Sequence, residues 1–125
     1  MIVTDDRVMR FVSERIGRPI VPPYTCMGTE IGGEIVNGVV FNDFTGADIH
    51  ATVAGKRWSR GFLGEIGHYI FGQLGCLRIT VTTEQPIVVQ LAERLGGKVE
   101  GLLRNQFGQG RDGFIVGILR DDWRY

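Results

Sequence analysis

The sequence predicts a single α/β domain, residues 1–125, built on a mixed sheet with helices on both faces. Three observations carry that prediction. Residues 48–83 alternate as a strand, then repeat apolar residues at helical spacing, then alternate again. A strand–helix–strand unit of this kind is a parallel, right-handed crossover. Residues 24–53 read strand, turn, strand, turn, strand, the pattern of an antiparallel meander. Residues 86–119 read as one helix and two strands joined by a glycine turn. A chain of 125 residues is the size of one domain and buries roughly two-thirds of its unfolded surface.

Each element has its own warrant. Thr4 is placed to cap a helix whose first turn carries Asp5 and Asp6, the favourable sign at that end. Val8, Phe11, Val12 and Ile16 form its apolar stripe, and Gly17 closes it. Arg18–Pro23 (RPIVPP) is an extended connector, because its prolines exclude helix and sheet interior alike. Cys26–Ile31 leads through Gly32-Gly33 into Ile35–Phe44, a hairpin with a strong turn signal. Val39 and Phe41 share one face of that strand; Val40 and Asn42 share the other. After Thr45-Gly46 comes Asp48–Val53, with Ile49, Ala51 and Val53 on one face and Asp48, His50 and Thr52 on the other.

A basic turn and a glycine-laden helix follow. Trp58, Phe62, Ile66, Ile70 and Leu74 recur at i+4, interrupted by Gly61, Gly64, Gly67 and Gly72. Each interior glycine costs about 1 kcal/mol relative to alanine, so close approach to the sheet or to a ligand is expected in return. Lys56, Arg57 and Arg60 gather at the helix start, with no carboxylate before Glu65. Cations there oppose the helix dipole by roughly 0.3–1 kcal/mol each. The turn is therefore either an anion site or a solvated basic loop. Leu77–Thr83 is the next strand, with Leu77, Ile79 and Val81 assigned to the buried face and Arg78, Thr80 and Thr82 opposite. Pro86 opens a helix through Ile87, Val88, Leu91, Ala92 and Leu95, and Gly96-Gly97 stops it. Strands Lys98–Phe107 and Asp112–Leu119 flank the turn Gly108–Arg111.

Composition narrows the function. Fourteen basic and fourteen acidic residues cancel, which argues against nucleic acid or an anionic membrane as partner. Cys26 and Cys76 stand far apart, in neither a disulfide framework nor a metal-ligand spacing, so no metal is expected. The first ten residues mix both charges, unlike a secretory leader, and no apolar run approaches the roughly 20 residues of a membrane span. These features predict a cytoplasmic protein.

Two stretches resemble the GNAT superfamily of acetyl-CoA-dependent N-acetyltransferases. One is the strand, basic turn and helix of Asp48–Leu74. The other is Ala92–Trp123, with Leu95-Gly96, Glu100-Gly101-Leu102-Leu103-Arg104, Gly110–Asp112 and Leu119-Arg120 before Trp123. It is similar to the C-terminal segment of the branch that acetylates ribosomal-protein N-termini, and the compact length resembles GNAT-like proteins of phages. The resemblance implies a mostly antiparallel sheet with one splayed parallel strand pair. It implies acetyl-CoA as cofactor, with pantetheine along Val53 and Ala54, phosphates at Arg57, Ser59, Arg60, Gly61 and Phe62, and Gln85 where that family often has asparagine. The acceptor would be a primary amine of a protein or small molecule, attacking the thioester directly.

His50 is the candidate base, since its pKa lies near neutrality; the alternative is a strand histidine without chemistry. Glu30, Glu34 and Asp43 are candidates for a proton relay or for plain turn carboxylates. Glu100 and Arg104, at even spacing, suggest an ion pair. Trp123 and Tyr125 either pack on the sheet or cover the acceptor site. Against the family pattern, Arg60 and Phe62 stand where loop glycines are usual, and Ala92 where many members carry an acidic tyrosine. A catalytically inactive binding or assembly module, for instance of a phage particle, is the alternative reading. Self-association is left open.

Overall fold

The computed structural model describes residues 1–125. The elements are β1 (Ile2–Val3), α1 (Asp6–Ile16), β2 (Thr25–Ile31), β3 (Glu34–Asn42), β4 (Asp48–Gly55), α2 (Arg60–Gly67), β5 (Arg78–Thr83), α3 (Pro86–Arg94), β6 (Lys98–Leu103) and β7 (Gly113–Leu119). They form one mixed sheet in the order β1-β2-β3-β4-β5-β7-β6. Neighbours are antiparallel except β4 and β5, the parallel pair joined by α2. The β2–β3 hairpin turns on Gly32 and Gly33, whose φ angles of 58° and 82° suit a type I′ turn.

The sheet is covered on both sides. α1 lies on one face, where Val8 and Val12 pack with Cys26 and Val40. It sits directly on the backbone: Gly28 and Gly38 face each other in register, and a Cβ on either would come within 2.9 Å of Val8. α2 and α3 cover the other face, where Phe41, Phe62, Ile66, Ile70, Ile79, Val116 and Ile118 make the larger core. No helix is long and apolar enough to cross a membrane.

Several local expectations are corrected. Asp5, not Thr4, caps α1, its carboxylate accepting the Arg7 N–H at 3.0 Å. Leu77 lies before β5 and is 54% exposed, because its N–H is drawn to the Ala47 carbonyl at 2.7 Å. The glycine-laden helix begins after Trp58 and changes at His68–Gln73 into a π-helical turn. Glu100 pairs with Arg78 at 2.7 Å rather than with Arg104, since Arg104 lies beyond the end of β6.

Candidate active site

The parallel pair is a fork. β4 and β5 pair at Asp48–Arg78, Ile49–Ile79 and His50–Thr80, and no further. Each strand continues, but with its outer neighbour: β4 stays with β3 to Gly55, and β5 stays with β7 to Thr83. The sheet therefore opens between residues 52–55 and 82–83. The Lys56 N–H bonds to the Val36 carbonyl at 3.0 Å, in step with the β3–β4 ladder. By the alternation of an antiparallel pair, the main-chain groups of Thr52 and Ala54 turn to β3 and those of Val53 to the opening. On the α3 side Val53, Ala54, Trp58, Gln85, Val88 and Leu91 line an open cavity of ≈ 280 Å³.

The basic turn sits at the end of this opening. Fully buried Asn37 anchors it from β3. Its Nδ2 donates to the carbonyls of Lys56 and Arg57 at 3.0 and 3.2 Å, and its Oδ1 accepts the Thr29 N–H at 3.1 Å. Arg57 thereby adopts φ 64°, in the left-handed region. Ser59 caps α2, Oγ accepting the Phe62 N–H at 3.1 Å. The N–H groups of Arg60 and Gly61 have no partner within the helix, as its first turn dictates.

Arg60 and Phe62 replace loop glycines without blocking those N–H groups. The Phe62 side chain points into the core, 2% exposed, and stacks on Trp58 at 5.8 Å. Arg60 reaches outward, its guanidinium 5.8 Å from the Tyr125 ring. A Cβ added at Gly61 or Gly64 meets nothing within 4 Å, so packing does not account for glycine at either. Gly67 differs, because a Cβ there would lie 2.3 Å from Trp123 Nε1. The C-terminal segment thus crosses α2 rather than the cavity beside His50 described below.

No family model matches the sequence, and the curated proteins yield no significant sequence match. Solved structures do match. A dodecameric spermidine N-acetyltransferase from Vibrio cholerae superposes with a TM-score of 0.73 at 16% identity, over 97% of this chain and 94% of that one. A GNAT-family protein from Desulfovibrio desulfuricans gives 0.70 at 15% identity, over 96% and 98%. The fold is that of the GNAT acetyltransferases.

On the α1 face of this GNAT fold, His50 occupies the last paired rung. Its Nε2 lies 2.9 Å from Thr82 Oγ1, in the open half. Burial pushes its pKa below the usual histidine value, opposed by the Asp43 and Asp48 carboxylates and assisted by Arg18. Burial thus favours the neutral imidazole over the charged one. Thr52, Asn42, Asp43, Arg18 and Gln106 line the same cavity.

The structure thus brings His50 and the fork together, with Gln85 exposed where α3 begins. Ala92 is 3% exposed in the α3-side core. Glu30 is held by Arg7 at 3.1 Å, on the α1 side of β2. Glu34 sits at the hairpin. Sequence reasoning missed Asn37, Asn42 and Arg18. The signal for Asn37 was an amide among the apolar residues at the middle of β3, which a core tolerates only when hydrogen-bonded.

Proposed function

We propose that the protein transfers an acetyl group from acetyl-CoA to a primary amine. The observation that carries this reading is the fork, with Val53 left facing it by the β3–β4 ladder. An extended, amide-bearing pantetheine arm suits such a strand edge. Val53 would hold it through its main-chain groups, with Ala54 beside it lining the cavity. Arg60 and Gly61 would meet the phosphates through main-chain N–H groups, aided by the Arg57 and Arg60 side chains, while Ser59 and Phe62 shape the turn. Gln85 stands at the mouth.

Bound acetyl-CoA supplies an acetyl group already activated as a thioester. The acceptor is protonated in water and must lose a proton to become nucleophilic. His50, its neutral form favoured by burial, is the group suited to take it. Free Cys26 and Cys76 accord with a reducing, cytoplasmic setting.

Isothermal titration with acetyl-CoA and with coenzyme A tests the reading. Saturation below the millimolar range is expected, with Arg60→Ala weaker by about tenfold, the loss of one charge-assisted contact. Absence of binding at millimolar concentration would sink it. A second reading, a binding module without catalysis, draws support from Ala92, which gives α3 no acid toward the cleft. In that case acetyl-CoA binds but no amine is acetylated.

A further inference from the structure

The cavity on the α1 face lies under the connector between α1 and β2. It has an open volume of ≈ 350 Å³, at the small end of the range for small-molecule sites. Its two sides carry opposite charge. On the β3 side, Asn42 Oδ1 is buried and no donor reaches it. Asp43 is next to it, held at φ 54°, and its carboxylate forms no ion pair within the chain.

The other side is cationic. Strand order places Thr82 and then the β6–β7 loop with Gln106 beyond His50. Arg18 belongs to this side, since its guanidinium stacks over Phe107 at 5.1 Å. The nearby Arg111 is engaged by Glu84, Nε to Oε2 at 3.1 Å. Arg18 has no carboxylate partner in the chain, which leaves it as the free cation of the cavity. His50 stands between the two sides, within the field of both Asp43 and Arg18.

We infer that this cavity takes a small zwitterion, a molecule bearing a primary amine and a carboxylate close together, as a free amino acid does. The ammonium group sits against Asp43, beside His50, and the carboxylate sits on Arg18. A polyamine brings a second cation toward Arg18 and is disfavoured. A peptide N-terminus leaves Arg18 without an anion. As a statement about the acceptor, this rests on the acetyltransferase reading; as a statement about the cavity, it does not.

L-alanine, L-alaninamide and spermidine are the probes. Binding is read without acetyl-CoA from the NMR resonances of the His50 ring, and transfer from thiol release with acetyl-CoA. The expected result is a His50 resonance change with L-alanine at least about tenfold tighter than with L-alaninamide, a difference of about 1.4 kcal/mol. Arg18→Gln should lower L-alanine to the level of the amide, Arg18→Lys should keep part of the preference, and Asp43→Asn should weaken both ligands. Thermal unfolding verifies that each variant is folded.

The inference is overturned if L-alaninamide or spermidine binds as tightly as L-alanine. It is equally overturned if Arg18→Gln leaves the preference intact, or if no probe moves the His50 ring resonances. Alanine binding that depends on Arg18 in a protein that ignores acetyl-CoA would remove the acetyltransferase reading and keep the cavity assignment. Acetylation of spermidine indifferent to Arg18 would do the reverse.

Discussion

The two halves of the β4–β5 pair share strands, neighbours and crossover helix, yet one is a clamp and the other a slot. In the closed half, Ile49 and Ile79 are each 3% exposed. Asp48 Oδ1 accepts from Thr80 Oγ1 at 2.8 Å and lies 3.6 Å from Arg78 Nε, which continues the network to Glu100. Gly117 leaves room for that network, since a Cβ there would fall 2.3 Å from Glu100 Oε2. In the open half, no ladder bridges Val53 and Thr82, and the outer ladders alone carry the sheet. The lesson is that a parallel pair can end early at little cost to the fold, provided each strand keeps its other neighbour. The main-chain groups released by that ending are available to a ligand.

Proline substitution on either side of this alternation gives the largest expected effect. The Thr52 N–H belongs to the β3 ladder and the Val53 N–H faces the opening. Thr52→Pro removes a ladder hydrogen bond to β3 and leaves its buried acceptor unpaired, which should cost roughly 1–3 kcal/mol, a large share of a domain's roughly 5–15 kcal/mol. Val53→Pro removes no ladder bond and should stay folded while losing affinity for acetyl-CoA. Urea unfolding and titration of both variants make the comparison. Equal destabilisation would mean that Val53 is paired and the slot is not a slot.

An intermediate effect is expected from glycines that differ in the same way. Gly61 stands over open space; Gly67 lies under Trp123. Gly61→Ala should raise stability by up to about 1 kcal/mol through helix propensity and yet weaken coenzyme A binding, as the new methyl group intrudes where the phosphates would sit. Gly67→Ala should lower stability, because the indole must move. Stability and affinity rising together in Gly61→Ala would remove this glycine from the cofactor site.

This contrast also explains what was legible in the sequence. The meander, the crossover and the faces of β3, β4 and β5 follow from local alternation, and the periodic signal reports them. The opening of the fork was expected only through family resemblance, because no residue in β4 or β5 marks where pairing stops. β1 went unread because two residues carry no period; their pairing with Thr29 and Gly28 is wholly tertiary. The close approach to the sheet expected of the glycines of α2 is not found there: Gly61 and Gly64 meet nothing and Gly67 meets Trp123, whereas it is Gly28 and Gly38 in the strands that let α1 come close. Glu100 was assigned a partner along its own strand, whereas sheets pair side chains across strands. Asn42 and Arg18 line one cavity only because the α1–β2 connector folds over the end of β3. Their separation in sequence hides the cavity.

The smallest effect concerns His50, which belongs to both halves: its main chain is the last paired rung and its ring reaches Thr82. Its pKa is lowered in the folded state, chiefly by burial. Near pH 6 the unfolded chain therefore binds more protons at this residue than the folded one, and stability rises with pH. The contribution is fully present above the unfolded value of about 6.5 and is lost as pH falls toward the folded pKa. A tenfold weaker hold on the proton corresponds to about 1.4 kcal/mol. Urea unfolding at pH 5 and pH 7.5 should show a loss at the lower pH that shrinks in His50→Gln. The charged groups facing the ring are Asp43, Asp48 and Arg18. Carboxylates ordinarily titrate below this window and guanidinium groups far above it, so the difference between the two proteins reports the imidazole. An unchanged slope in the variant would mean that the ring at the fork is not held neutral, and the base for an incoming amine would have to be sought elsewhere.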